Sequence, residues 1–234
     1  MSEIRYKLTN QNMQTYHEFQ WELGKKYVIE NDKDALCGGG FFHFYCHPLL
    51  AILHNPIHIQ LSNPRLFKAK VSGKNKTDGQ LKEGWKKATL IEEIPIPEIT
   101  IKQKIRYGIL CVLEVYNENS FVEWANNWLS GKDRSRAAAR ASADAAVAAA
   151  QGTAAAAAAA YAAAAAAAQG TEAAAAAAYA AAAAQGTEAA AAAAYAAAAA
   201  QGTAAAYAAA MAADGAKNIY LIKIAEKAIN DPNQ

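Results

Sequence analysis

Four side chains that could bind a metal or act as nucleophiles lie within eleven consecutive residues of the sequence: Cys37, His43, Cys46 and His47. Thiolate and imidazole groups are the ligands that zinc prefers in proteins. Their spacing matches no standard zinc module, however, and no second Cys/His pair follows them. The sequence therefore predicts ordinary packing of these side chains, with no bound metal and no cofactor.

The same segment allows a catalytic alternative centred on His43. A histidine acts as general acid or base, and it activates a cysteine when the two side chains meet. Cys37 or Glu22 is the candidate partner, and residues 38–40 form a glycine turn whose N–H groups could hold a phosphate. The turn lacks the Lys-Ser/Thr of a P-loop. An enzyme acting on a phosphorylated substrate is therefore the alternative, and the pattern favours a protein without catalytic activity.

The stretch from Lys68 to Lys87 is rich in lysine. It holds seven lysines (68, 70, 74, 76, 82, 86 and 87) against Asp78 and Glu83, which gives 7 − 2 = +5. Such a patch could bind an anionic, nucleotide-like ligand, although a solvated loop over residues 74–84 is the simpler interpretation. The candidate ligand-binding residues are His43, Lys68, Lys70, Lys82, Trp85 and Lys87.

Overall charge and cysteine content restrict the class of protein. The formal net charge of the 234 residues is only +2, so nucleic acid is an improbable partner and no membrane association is expected. The first twelve residues are polar and contain no apolar core of a signal peptide. Three cysteines without framework spacing indicate a reducing compartment. We expect a cytoplasmic protein.

The element that must position these residues is an N-terminal head domain, residues 1–98. Ile4, Tyr6 and Leu8 alternate with polar residues, which is typical of a strand, and further short apolar runs come after them. Pro48 begins a short helix, which Pro56 should end. The sequence therefore predicts an α+β head domain, whose boundary with the rest of the chain lies at the prolines near residue 97.

Helical periodicity dominates the chain after the head domain. Residues 99–133 predict a helical connector, in which Trp124 and Trp128 lie four residues apart on one face and pack in the core. Residues 130–133 should close its last helix and cap the next one. Residues 216–234 predict an amphipathic terminal helix that docks on the head domain or on a partner subunit.

Residues 134–215 form an alanine-rich repeat region. Gln-Gly-Thr begins at 151, 169, 185 and 201, and each copy is followed by a tyrosine (161, 179, 195 and 207). Alanine has the highest helix propensity, and Gly-Thr ends one helix and caps the next, so short packed helices are favoured. A β-solenoid with one repeat per coil remains the alternative, against alanine's poor β-propensity. Helices this poor in apolar surface should pack on copies of themselves, which predicts a homo-oligomer.

Several short motifs of the head domain point to one family. They are Phe19-Gln20-Trp21-Glu22-Leu23-Gly24-Lys25, Leu36-Cys37-Gly38 with His43 and Pro48-Leu49, Phe67-Lys68-Ala69-Lys70-Val71 with Gly73, and the strand before Glu92-Glu93-Ile94. This block resembles a family of uncharacterised domains common in bacteriophage and prophage genomes, with the pattern Cys, glycine turn, aromatic, His and Pro-Leu helix start. Members often carry repetitive tails rich in small residues. The resemblance implies a phage-type accessory protein in the host cytoplasm and implies no activity.

Taken together, these features favour a homo-oligomeric binding module. The head domain would capture a small anionic ligand or a host protein, and the repeats would join several heads. Two alternatives stay open at this point: an enzyme that uses His43, and a purely structural protein whose repeats assemble.

Overall fold

The computed structural model describes residues 2–58, 61, 63–78, 80, 82–114, 116–149 and 220–230, together with four isolated alanines at 159, 162, 163 and 166. These residues belong to two compact units, Met1–Glu98 and Ile99–Gln234. No described helix combines the length and the apolar character needed to cross a bilayer.

The described residues of the first unit form antiparallel sheets, one α-helix and a 3-10 turn at Tyr16–Glu18. The strands are β1 (Glu3–Thr9), β2 (Gln14–Thr15), β3 (Phe19–Gln20), β4 (Lys26–Val28), β5 (Phe42–Phe44), β6 (Arg65–Asp78) and β7 (Lys82–Ile94), and the helix is α1 (Pro48–His58). The main sheet has the order β1-β6-β7-β4, β5 also pairs with β7, and β2 and β3 form a separate small hairpin. The prediction of a mixed α and β fold is confirmed for this unit.

Four strands of this sheet close into a ring. β1 pairs with the first half of β6, β6 with β7, and β7 with β5. Tyr45, directly after β5, then pairs with Tyr6 of β1 through two backbone hydrogen bonds of 2.9 Å. Closure of this kind leaves fewer strand edges with unpaired N–H and C=O groups.

Side chains on alternate positions of β6 pack into different apolar clusters. Phe67, Ala69 and Val71 of β6 pack with Trp21, Phe44 and Trp85 in one cluster. Leu66 of β6 points the other way and packs with Leu8, Tyr45 and Ala51. The period of two along β6 therefore covers one face of the sheet with aromatic residues from neighbouring strands and the other face with α1.

The lysine-rich stretch 74–84 differs from the predicted solvated loop. β6 and β7 run for 14 and 13 residues and carry the hairpin through this stretch, with Asn75 opposite Trp85 and Lys76 opposite Gly84. The prediction was wrong because local charge does not reveal a partner strand. Trp85, only 3% exposed, anchors the charged hairpin in the core.

Helix α1 also differs from its predicted end, because it runs through Pro56 to His58. Proline beyond the first turn of a helix removes one backbone hydrogen bond, so the helix after Pro56 must be stabilised by other contacts. His54 is fully buried, and the Asn55 amide donates to the Leu61 carbonyl over 2.9 Å. These contacts hold the last turn despite the proline, and both His54 and His58 lie in one helix.

The second unit is helical over its described residues: α2 (Ile101–Leu113), α3 (Asn119–Ser130), α4 (Arg136–Ala149) and α5 (Leu221–Ile229). Thr100 and Gln103 form a reciprocal capping box at the start of α2. Gly131 ends α3 in the left-handed conformation with φ 80°. The cap of α4 is Ser135, whose hydroxyl accepts from the Ala138 N–H over 3.3 Å, rather than the expected residues 130–133.

The terminal helix α5 packs on α2, within its own unit. Leu221, Ile224, Ala225 and Ala228 form its buried face, and the Gln103 amide donates to the Ile229 carbonyl over 3.1 Å. The predicted amphipathic helix is therefore present, but the expected docking partner was wrong. Residues 105–112 of α2 are all buried, so α2 must be in contact with other elements on every side. The periodicity of α5 shows that it has an apolar face but does not show that this face packs on α2.

Four alanines of the repeat region are helical and buried, at positions 159, 162, 163 and 166. Their spacing is that of one helical face. Helix α4 buries Ala139, Ser142, Ala143 and Ala146 at the same spacing. The remainder of the predicted repeats, including the Gln-Gly-Thr copies and their tyrosines, lies outside the described residues.

Replacing Gly131 with alanine should lower the free energy of unfolding by about 1 kcal/mol, because a side chain disfavours φ 80°. A Cβ atom at this position would approach only the Arg134 guanidinium, at 3.6 Å, so the cost comes from the backbone. Urea unfolding measures it. Gly131→Asn is the control and should lose less, because asparagine tolerates this conformation. Equal stability of all three proteins would contradict the assignment.

Candidate functional site

A loop between β4 and β5, residues 31–41, lies on the lysine-rich hairpin and defines the candidate site. The Asn31 amide donates to the Gly39 carbonyl over 3.0 Å and closes the loop on itself. Gly38 and Gly39 have φ values of 111° and 83°, which residues with a side chain rarely adopt. The 31–41 loop is therefore a compact unit whose two ends lie close together.

The loop packs against Gly84 of β7. It lies opposite His43 of β5 on one side and Lys76 of β6 on the other. A Cβ atom at Gly84 would overlap the Leu36 side chain and would lie 2.7 Å from the Phe41 Cβ. Only a glycine lets these two apolar side chains rest directly on the strand.

Two lysines of β7 fasten the loop on either side of Gly84. Lys86 Nζ donates to the carbonyls of Asn31 and Lys33, over 2.7 and 3.2 Å, and lies 4.8 Å from the centre of the Phe41 ring. Lys82, which is only 7% exposed, donates to the Cys37 sulfur over 3.4 Å. The loop thus covers lysine ammonium groups with carbonyl, aromatic and sulfur acceptors.

Two lysines of β6, Lys74 and Lys76, hold the loop through the carboxylate of Asp34. Lys74 Nζ lies 2.7 Å from Oδ1, and Lys76 Nζ lies 2.8 Å from Oδ2. Hydrogen bonds from these two lysines lower the pKa of Asp34 to about 2. Each carboxylate oxygen therefore has its own lysine, in a place where all three side chains are at least 40% exposed.

His43 lies beneath the loop and holds it at Leu36. Its Nε2 is 2.6 Å from the Leu36 carbonyl oxygen. Because a carbonyl oxygen only accepts hydrogen bonds, Nε2 carries the proton. This hydrogen bond orients the imidazole against the loop.

The structure brings together only two of the six residues that the sequence suggested for ligand binding, His43 and Lys82. Lys68 is paired with Glu92 over 2.8 Å at another part of β6. Trp85 is buried in the core and donates to Glu83 over 3.0 Å, so its ring offers no stacking surface. Lys70 and Lys87 are exposed residues of β6 and β7 that do not contact the loop in any described interaction.

Sequence reasoning missed Asp34 and did not select Lys74, Lys76 or Lys86. The sequence does contain a signal for this grouping, namely a spacing of two residues. Residues 74 and 76 of β6 and residues 82, 84 and 86 of β7 lie on one face of the sheet once the two strands pair. Interpreting the stretch as a loop concealed that alternation.

A second group of charges lies inside the sheet ring and was also missed. Lys7 is only 7% exposed, donates to the His43 carbonyl over 2.7 Å, and sits 5.1 and 4.9 Å from the rings of Trp21 and Phe44. Burial lowers the pKa of Lys7 to about 7. An alternating strand predicts one apolar and one solvated face, so no local pattern indicates a buried lysine.

Arg5 and Glu83 extend this interior group. Arg5 Nε lies 2.5 Å from Glu83 Oε2, and the guanidinium lies 5.6 Å from the centre of the Trp85 ring. Glu83 also accepts from the Trp85 indole N–H. Both side chains of this ion pair are less than a fifth exposed, and the pair joins β1 to β7 across the ring.

The cysteines and histidines are the candidate metal ligands of the sequence. Among the side chains that the structure describes, no three His, Cys, Asp or Glu residues are grouped as a metal would require. Burial raises the pKa of the Cys46 and Cys111 thiols, which makes both poor nucleophiles. Cys37 is exposed and contacts Lys82, and Glu22 pairs with Lys25.

Comparison with known proteins identifies a domain in the first unit. Residues 4–102 match the model of a family described as a domain of unknown function, DUF7666. No curated protein and no solved structure matches the chain. The match covers the block in which the sequence motifs lie, and it carries no activity, ligand or source organism with it.

Proposed function

We propose that the chain is a non-enzymatic accessory protein whose first unit binds a small phosphate-bearing ligand on the lysine-rich face of β6 and β7. The observation that carries the proposal is the pair Lys74 and Lys76, which hold the two oxygens of one carboxylate with separate ammonium groups. A phosphate presents oxygens of the same kind at a similar separation and carries more charge.

The surrounding residues support a ligand larger than a single phosphate. Lys82, Lys86 and His43 lie on the same face, under the 31–41 loop, and would meet further anionic groups once the loop is displaced. A net charge of +2 over the whole chain argues against a nucleic-acid backbone as the partner. A nucleotide or another oligophosphate fits this local concentration of charge.

The second part of the proposal is that the chain self-associates through the alanine-rich region. The repeat pattern supports self-association, since alanine-rich helices need partners to pack on. Light scattering of the intact protein tests it, and a monomer would contradict it.

The third part of the proposal is a phage-type role in the host cell. Its support is the set of sequence motifs in the head domain.

We do not propose catalysis, because His43 Nε2 donates to the Leu36 carbonyl and Glu22 pairs with Lys25, so the candidate base and one candidate partner take part in loop and surface contacts. Replacing His43 with alanine should weaken pyrophosphate binding and speed amide exchange in residues 31–41, because the hydrogen bond to Leu36 is lost.

Isothermal titration calorimetry with inorganic pyrophosphate and with ADP tests the binding proposal. We expect both to bind, and we expect Lys76→Gln to weaken binding about fivefold or more, because one of the two ammonium groups is lost. Binding should also weaken as salt rises, since exposed charges are screened.

The matched control is Lys68→Gln. Lys68 is also a lysine of β6 paired with a carboxylate, Glu92, but it lies outside the 31–41 loop contact. It should leave pyrophosphate binding unchanged. Absence of binding in the unmodified protein, or equal weakening by both substitutions, would overturn the proposed site.

A further inference from the structure

The Asp34 carboxylate occupies the position that the proposed ligand would take. Its two oxygens accept from Lys74 and Lys76 over 2.7 and 2.8 Å. The carboxylate, itself 52% exposed, can be reached and replaced from solvent. An anion that binds these lysines must therefore compete with Asp34.

Asp34 is covalently part of the loop that covers Lys82 and His43. Lys82 and His43 contact Cys37 and Leu36, three and two residues after Asp34. The loop is closed by the Asn31–Gly39 hydrogen bond, and a Cβ at Gly40 would lie 2.7 Å from the carbonyls of Lys33 and Ala35. Such close internal packing favours movement of the loop as one piece.

We propose that the 31–41 loop is a built-in competitor of the ligand: a phosphate-bearing anion replaces Asp34 at Lys74 and Lys76, releases the loop from the hairpin, and uncovers Lys82 and His43 for its remaining charges. This inference rests on the proposed function and adds its regulation. Affinity is then set by the difference between the anion's contacts and those of the loop. A ligand with one charged group would gain little, whereas an oligophosphate would gain Lys74 and Lys76 and also the Lys82 ammonium group and the His43 N–H donor.

Release of the loop is an exchange of ion pairs, in which no covalent bond is made or broken. An aspartate is ionised throughout the neutral pH range, and hydrogen bonds from the two lysines lower the pKa of Asp34 further, to about 2. The loop is therefore operated by the anion and not by protonation of Asp34.

The test compares Asp34→Asn with Asp32→Asn, which removes the same charge two residues away in the same loop. Asp32 is exposed. Pyrophosphate affinity is measured by calorimetry, and amide hydrogen exchange of residues 31–41 is followed with and without pyrophosphate. Asp34→Asn should bind at least about fivefold tighter than Asp32→Asn, the lower end of coupling between competing groups.

Exchange distinguishes release of the loop from a general charge effect. In the unmodified protein and in Asp32→Asn, pyrophosphate should speed exchange in residues 31–41. In Asp34→Asn, exchange should be fast without the anion. Equal affinities of the two variants, with binding intact and sensitive to Lys76→Gln, would overturn the competitor role and leave the binding site standing. No binding by any of these proteins would overturn both.

Discussion

Replacing Lys7 with methionine is expected to raise the free energy of unfolding at pH 7 by about 2 to 4 kcal/mol and to remove a rise in stability between pH 7 and 10. Burial lowers the pKa of Lys7 from 10.5 to about 7, a shift that corresponds to about 5 kcal/mol. Methionine fills a similar volume without a charge. Losing the hydrogen bond to the His43 carbonyl offsets part of the gain.

The sign of the pH dependence follows from proton binding. Below pH 7 both the folded and the unfolded chain carry a protonated Lys7, so the folded state bears the whole cost of burying the charge. Between about 7 and 10.5 the unfolded chain binds more protons, and stability rises with pH. Above 10.5 the amine is neutral in both states and the cost is gone.

Urea unfolding of the intact protein and of Lys7→Met, measured at intervals from pH 6 to 10, gives the difference between the two curves. This difference should shrink as pH rises, because the unmodified protein gains stability. Lys70→Met, an exposed lysine on β6, is the matched control and should show a constant difference. A difference independent of pH for Lys7→Met would show that Lys7 is solvated.

Replacing Gly84 with alanine is expected to lower the free energy of unfolding by about 1 to 3 kcal/mol, the usual cost of adding a methyl group to a filled site. The added Cβ would overlap Leu36 and would lie 2.7 Å from the Phe41 Cβ. Relief requires the 31–41 loop to rise from the hairpin. Amide exchange in residues 31–41 should therefore accelerate along with the loss of stability.

A double substitution tests this explanation of the Gly84 effect. Leu36→Ala removes the side chain that the new methyl group meets, so Gly84→Ala should cost less in the Leu36→Ala background than in the unmodified protein. Additive effects of the two substitutions would show that Leu36 does not rest on Gly84. Unchanged loop exchange in Gly84→Ala would show that the sheet, and not the loop, absorbs the strain.

Local signals in the sequence determined several elements of the fold. The alternation of Ile4, Tyr6 and Leu8 is observed as β1, and the helical spacing after residue 99 is observed as α2 and α3. Trp124 and Trp128 are buried as expected, and Gly131 ends its helix. These features depend on residues within a few positions of one another, so propensity and period suffice to find them.

Pairing between distant segments decided the candidate site. Asp34 meets Lys74 and Lys76 across about forty residues of chain, and Leu36 rests on Gly84 only because β5, β6 and β7 lie side by side. Residues 74–78 and 82–84 are strand because the two segments pair with each other and Trp85 is buried in the core, although the local charge favours a loop.

The sequence by itself determined that the first unit combines strands with a helix, that the chain turns helical after residue 99, and that lysines concentrate in one stretch of the first unit. Only the tertiary structure decided which lysines face a common carboxylate, that Trp85 is core, and that Lys7 is buried among aromatic rings. The physical reason is that charge and burial of a strand residue depend on the register with its neighbours, and strand register joins residues that are far apart in sequence.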